Sequence, residues 1–420
     1  MKKSLIKLFV YTICIYSGFC HIARADGCLI NQIDVSGDGT NCVDAKFTVT
    51  TTSITANTQF KFYTSASGTF YVDWGDGNVD TIIRDNITST LYNHTYTTAG
   101  VKTIRFGGLA TGYGTTSVMN FHVSSSNVCN IRAIEGSLGA IFPTLGQEAE
   151  QQPRFIDTFY TCKNLTTIPE SLFDGVNGGG IYMFWATFMN SGITAIPENL
   201  FSGITAAATR MFYQTFEGCS SLSGYIPPSL FAGLIKNGSP NDTSNGVMMA
   251  QVFKNTGLST TCPAGTVQFV TGYESYWGGK VSCVDENLVC DASEYLPAHW
   301  YQCEQCLANN YCPGGIYPYS ETVSQGINQC PNNLYSPMGM SAANQCGRIL
   351  HVGEEVVYLR STKKTTPALH VDIDNDGVAD FFGNVTTADV PMTRGTNKKL
   401  KVSFGGQTYS VYDDSVGIEE

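Results

Sequence analysis

Two clusters in this chain have residue types and spacing that could do chemistry. The first is Cys303-Glu304-Gln305-Cys306, a C-x-x-C. Paired thiols at that spacing can hold zinc, cycle as a redox dithiol, or belong to two disulfides. Zinc would want a second C-x-x-C or a paired histidine motif, and redox catalysis a βαβ setting. Neither accompanies this pair, so a disulfide framework is the expectation. The second cluster is Asp372-Ile373-Asp374-Asn375-Asp376-Gly377-Val378-Ala379-Asp380. Carboxylates spaced this way around a glycine can converge on a hard cation, which makes Asp372, Asp374, Asp376 and Asp380 candidate calcium ligands. Asp376-Gly377 is equally a hairpin signal between Val371 and Phe381. Gly383 stands where a bidentate glutamate closes many calcium loops, and both readings stay open.

Other catalytic signatures are missing from the sequence. His94, His122, His299, His351 and His370 show no H-E-x-x-H or other paired-ligand spacing. No G-x-S-x-G or P-loop occurs, and Gly178-Gly179-Gly180 follows a repeat, as a loop would. A non-catalytic protein is expected, with no catalytic residue and no cofactor besides calcium.

The 420 residues carry a formal net charge of −11, which argues against nucleic acid, where a basic stripe is expected. Lys2, Lys3 and Lys7 precede an apolar run from Leu8 to Phe19 and then Ala23-Arg24-Ala25. This is the layout of a secretory leader cleaved after Ala25. The run is short for a bilayer span, and no later stretch is apolar enough, so no transmembrane segment is expected in the mature chain. Of fifteen cysteines, Cys14 and Cys20 fall in the leader. The remaining thirteen can form disulfides in an exported protein.

These residues must be positioned by four expected modules after the leader at 1–25. Residues 26–125 read as β structure, with Phe47-Val49, Phe60-Phe62, Phe70-Val72-Trp74 and Val101-Ile104-Phe106 nearly alternating. Cys28 and Cys42 flank a head segment that a local disulfide would close. Asp73-Trp74-Gly75-Asp76-Gly77 and His94-Thr95-Tyr96 through Gly100 resemble the polycystic-kidney-disease-type immunoglobulin-like domain, which implies a β-sandwich. Trp74 and His94 are expected to pack inside; metal ligation by Asp73 and Asp76 is the alternative.

Residues 126–272 repeat. Phe159, Phe188, Phe216 and Phe253 head four segments separated by 29, 28 and 37 residues, with an insertion near 235–246. Aromatics recur at a helical i, i+4 interval (Phe155/Phe159, Phe184/Phe188, Phe212/Phe216), followed by a small residue, an Ile-Pro pair and Leu-Phe. Cys129 to Pro143 has the look of a degenerate first unit. One unit cannot bury its apolar face, but stacked units can. The pattern resembles the BspA-like leucine-rich repeats of surface proteins, which implies an α/β solenoid and adhesion. Cys162 and Cys219 occupy equivalent repeat positions and are expected as buried free thiols, with Cys129 left over. Cys262 stands where the repetition stops and is expected to pair with Cys283.

Residues 273–347 hold Cys290, Cys303, Cys306, Cys312, Cys330 and Cys346, for which sequence leaves 15 connectivities. Tyr311-Cys312-Pro313-Gly314-Gly315 and Cys330-Pro331 resemble the cysteine-rich modules of growth-factor and tumour-necrosis-factor receptors. By that resemblance the pairs are 290–303, 306–330 and 312–346. Residues 348–420 return to β patterning at Val356–Leu359, Leu369–Val371, Leu400–Phe404 and Tyr409–Tyr412. The expected whole is a mainly β, multi-domain exported protein. It would bind a protein or glycan through the exposed repeat surface, or else self-assemble as an envelope component. A secreted hydrolase is the third reading.

Overall fold

The computed structural model describes residues 27–122, 129–236, 248–269, 275–331, 336 and 338–346. It also describes backbone strands at Thr12–Cys14, Cys20–Ile22, Gly347–Val352, Ala368–Asp372, Phe381–Gly383, Leu400–Phe404 and Gln407–Tyr412. Residues 1–11, 15–19 and 23–26 of the expected leader, residues 237–247 at the expected insertion, the strand expected at Val356–Leu359, and Asp374, Asp376 and Asp380 lie outside the described residues. The chain is mainly β and divides into two units. One is Met1–Pro263 with Gln268–Cys283, and the other is Ala264–Val267 with Val284–Glu420.

In the first unit, alternating side chains build a curled antiparallel sheet. Its strands are β1 (Gln32–Asp34), β2 (Cys42–Thr51), β4 (Ala66–Asp73), β5 (Val79–Arg84), β7 (Thr103–Tyr113) and β8 (Ile131–Gly136). The order is β8-β2-β7-β4-β5, with β1 also on β2. A ribbon of β3 (Thr58–Thr64) and β6 (Thr90–Tyr96) packs over the sheet. Phe60 and Phe62 of β3 meet Trp74 at 6.5 and 6.1 Å, and Phe62 meets Phe106 edge-on at 5.3 Å. Strand β8 lies past the expected boundary at 125/126, in the stretch read as a degenerate first unit. Ile131 to Gly136 are not a degenerate repeat but an edge of this sheet, in register with Thr51 to Phe47. Sheet and repeats belong to one unit.

The turn at Asp73–Gly77 is built as the sequence suggested. Gly75 has φ +73°, and a Cβ there would lie 2.2 Å from the Thr103 carbonyl oxygen. Trp74 is buried, and its Nε1 donates to Asp80 at 2.9 Å. His94 stacks on Trp74 at 4.9 Å and bonds Asp76 at 2.7 Å. Asp73 pairs with Arg105 at 2.9 Å. Both carboxylates therefore have protein partners. Burial pulls the Asp76 pKa up, but hydrogen bonds from His94 and Asn78 outweigh it and hold the group below the usual range.

The repeats form stacked coils, but not with helices at the paired aromatics. Each aromatic stretch is a run of overlapping turns. The amides of Trp185, Thr187, Met189 and Ser191 donate three residues back. The intervening amides of Phe184, Ala186, Phe188 and Asn190 donate to the next coil, at Met211, Tyr213, Thr215 and Glu217. Every second amide is thus spent between coils, which a helix cannot do. Left-handed backbone recurs every fourth residue, at Tyr182, Ala186 and Asn190 (φ 62°, 52° and 58°). A four-residue aromatic spacing reads as helix in sequence and is satisfied here by turns of alternating type.

Three phenylalanine columns run through the stack. Phe155, Phe184 and Phe212 stack at 5.7 and 5.2 Å. Phe159, Phe188, Phe216 and Phe253 stack at 5.4, 5.4 and 5.5 Å. Phe173, Phe201 and Phe231, from the Leu-Phe pairs, stack at 5.5 and 6.0 Å. At one end Phe121 stacks on Phe159 at 5.6 Å. At the other, Trp277 meets Phe253 edge-on at 6.4 Å, and the Cys262–Cys283 disulfide holds the covering segment. Gly178 lies within the stack because a Cβ there would come 2.1 Å from the Gln152 amide oxygen. The glycine loop is a packing feature.

Six disulfides use twelve of the thirteen cysteines from Cys28 onward. Cys28–Cys42, Cys262–Cys283 and Cys290–Cys303 are as expected. The free-thiol expectation for Cys162 is wrong, as is the leftover role for Cys129, because the two are bonded to each other. Cys162 sits in the first coil and faces the segment entering β8, whereas Cys219 has Ser191 beside it at 3.4 Å. Cys219 alone stays free and buried, and burial raises its thiol pKa to about 11. The pairs 306–330 and 312–346 are also corrected to Cys306–Cys312 and Cys330–Cys346. Those bonds close loops of 6 and 16 residues, so each short segment of a core-poor module is tied to itself.

In the second unit, Asn287–Cys290 pairs antiparallel with Gly315–Pro318. The last sheet runs Phe381–Gly383, Ala368–Asp372, Gly347–Val352, Gln407–Tyr412, Leu400–Phe404, with a parallel pair between Gly347–Val352 and Ala368–Asp372.

Candidate ligand-binding face

Between the stacked phenylalanines each coil turns through a pair of residues at its outer corner. They are Ile156 and Asp157, Trp185 and Ala186, Tyr213 and Gln214, and Ala250 and Gln251, all half-buried except Ala186, which is buried. The second of each pair is left-handed, with φ of 52°, 52°, 59° and 61°. The next residue turns back inside. Thr158, Thr187 and Thr215 are fully buried. The Thr187 and Thr215 hydroxyls donate to the carbonyls of Phe155 and Phe184 in the preceding coil, each at 2.8 Å. This threonine column satisfies backbone acceptors that burial would otherwise leave costly.

The corner pairs assemble an aromatic and polar ridge. Tyr182 and Trp185 lie 5.1 Å apart, and Trp185 and Tyr213 lie 6.1 Å apart. The Arg210 guanidinium stands 5.9 Å from both tyrosine rings and donates to the Tyr182 hydroxyl at 3.3 Å. Trp185 Nε1 donates to Gln214 Oε1 at 3.3 Å. The Gln214 amide nitrogen donates to Glu217 at 2.6 Å and to Gln251 at 3.2 Å. Lys254 lies 3.6 Å from Glu217. Rings half-exposed and pinned by such bonds lose little freedom on meeting a ligand.

Asp157 belongs to the same face. Burial raises its carboxyl pKa to about 6. A raised acid costs stability once the unfolded chain ionises, and the full cost is present above the folded pKa. Asp157→Asn should therefore raise the thermal midpoint at pH 7.5, with the gain vanishing below pH 4. Asparagine also tolerates the left-handed backbone. Equal gains at both pH values would show that the charge is not responsible.

The other sequence candidates are scattered. His94 serves the Asp76 turn, while His122 packs edge-on against Tyr160 at 4.6 Å and burial lowers its pKa. His299 is exposed, and His351 and His370 lie on the last sheet. Asp372 ends the strand Ala368–Asp372, and Val371 pairs with Phe381 across the acidic loop. Among the described residues no group of three or more His, Cys, Asp or Glu is placed to hold a metal. The ridge itself was missed in sequence because only its buried neighbours repeat. The D-T-F, A-T-F and Q-T-F triplets marked where the corner residues stand.

Compared with known proteins, the chain matches no family model, no curated protein and no solved structure. Its face is read from its own chemistry.

Proposed function

We propose that this chain is an exported, non-catalytic protein whose stacked coils act as a short leucine-rich-repeat-like solenoid, presenting their outer face to a protein or glycan. The observation that carries this reading is the pinned ridge of Tyr182, Trp185, Tyr213 and Arg210 on a rigid phenylalanine stack. Exposed aromatics and arginine on a fixed scaffold are the residues that dominate binding energy at interfaces. The six disulfides suit an oxidising compartment. Among the described residues no helix is long and apolar enough to cross a membrane.

The test is binding of the full mature chain to a glycan array and to immobilised matrix proteins. Trp185→Ala should weaken capture about tenfold or more, the effect of losing one central aromatic, with the fold intact. Capture that is undiminished by both Trp185→Ala and Arg210→Ala would place the ligand elsewhere. Under the same proposal, calcium held by Asp372, Asp374, Asp376 and Asp380 stiffens the last sheet, and heat released on adding calcium to the chain would show it.

A further inference from the structure

The cysteine-rich segment carries an exposed surface that the coil face does not explain. Asn287–Cys290 and Gly315–Pro318 form a two-stranded ribbon that pairs with no third strand among the described residues. Val289 stands directly opposite Ile316, and Leu288 opposite Tyr317. Alternation sends these pairs to opposite faces. Leu288 and Tyr317 are half-buried, and the Tyr317 hydroxyl donates to the Gly314 carbonyl at 2.8 Å. Val289 and Ile316 face solvent at 73% and 69% exposure. An antiparallel ribbon with one solvated face normally puts polar residues there, so this one is reversed. The ribbon is also rigid, since Cys290 at its end is bonded to Cys303.

The charge around it has one sign. Residues 281–346 contain Asp285, Glu286, Asp291, Glu294, Glu304 and Glu321 and no lysine or arginine. Asp285 and Glu286 precede the first strand and Asp291 follows it, all three exposed. A second copy of the chain meeting this surface face to face would bring like charges together, because such an interface uses the same patch twice. A partner with lysine or arginine beside aliphatic residues gains on both counts.

We propose that the Val289–Ile316 ribbon docks an extended segment of another protein in which aliphatic side chains alternate with lysine or arginine. The open ribbon edges supply main-chain hydrogen bonds, and the Val289–Ile316 pair meets the aliphatic side chains. The carboxylates fix the sign of the partner's charge. This surface is separate from the coil face, and its test stands without that reading.

The experiment measures binding of the full chain to three labelled synthetic peptides, alternating valine–lysine, valine–glutamate and serine–lysine. Only the valine–lysine peptide should bind, with affinity falling as salt rises. Val289→Thr with Ile316→Thr keeps β-branched residues and should weaken it about tenfold. Asp285→Asn with Glu286→Gln, both exposed, should weaken it and flatten the salt dependence. All six disulfides should persist in both variants by mass. No binding of the valine–lysine peptide overturns the proposal, as does equal binding of the glutamate or serine peptide. So does indifference to both double variants. A concentration-dependent dimer abolished by the threonine variant would assign the ribbon to a second copy instead.

Discussion

Phe188→Ala should destabilise the first unit by about 3–5 kcal/mol, the range for emptying a fully buried aromatic site. Phe188 is fully buried, stacked between Phe159 and Phe216 at 5.4 Å on either side, and it meets Phe173 edge-on at 6.4 Å. The neighbouring coils cannot close the gap easily. The amides of Ala186, Phe188 and Asn190 are bonded to the next coil, and the Thr187 hydroxyl to the preceding one. Denaturant unfolding of the disulfide-bonded chain is the measurement, with Phe188→Leu losing much less. The outward Trp185→Ala should cost far less than Phe188→Ala, since it leaves the columns whole. A loss below about 1 kcal/mol for Phe188→Ala, the scale of an ordinary surface change, would mean that the columns do not hold the coils together.

The second large effect concerns Cys129–Cys162, a bond spanning 33 residues. In the chain-entropy model a crosslink of that span stabilises by about 4 kcal/mol. Cys129→Ser with Cys162→Ser removes both thiols and should lower the thermal midpoint by several degrees. The loss should concentrate where the sheet meets the first coil, because Cys129 lies beside Asn130, whose carbonyl accepts from Thr52, and β8 follows. Non-reducing digestion of the native chain should release the two cysteines in one linked fragment. Alkylation of Cys162 in the folded, unreduced chain would refute the bond.

How much of this was readable in advance depended on whether a signal was local. Pairs such as Cys28–Cys42 and Cys290–Cys303 join near neighbours in a chain with few other partners at hand. The phenylalanine columns announce themselves through repetition. Cys162 could not be placed the same way. Its equivalence to Cys219 in the repeat is true of the coil but not of what lies beside it, since only the first coil abuts the segment from Cys129. The turn architecture was hidden for a different reason. Aromatics four apart suit a helix, and nothing in side-chain type reports that alternate amides bond between coils. Strand β8 looked like a repeat because Ile131 and Ile134 carry apolar residues at a spacing both structures use. Of the candidate site, the scaffold was readable and the ridge was not. Tyr182, Trp185 and Tyr213 come together only once successive coils are superposed.

The lone thiol of Cys219 also constrains the order of events as the chain matures. Once the coil closes, a thiol with a pKa of about 11 and no solvent access has almost no thiolate with which to attack a disulfide. Before closure it is an ordinary cysteine competing for Cys129 and Cys162. The third coil must therefore bury Cys219 before oxidation is complete, or the competing bonds will trap it. Oxidative refolding under slow, reversible disulfide exchange should recover more native chain than rapid air oxidation, and Cys219→Ser should narrow that gap.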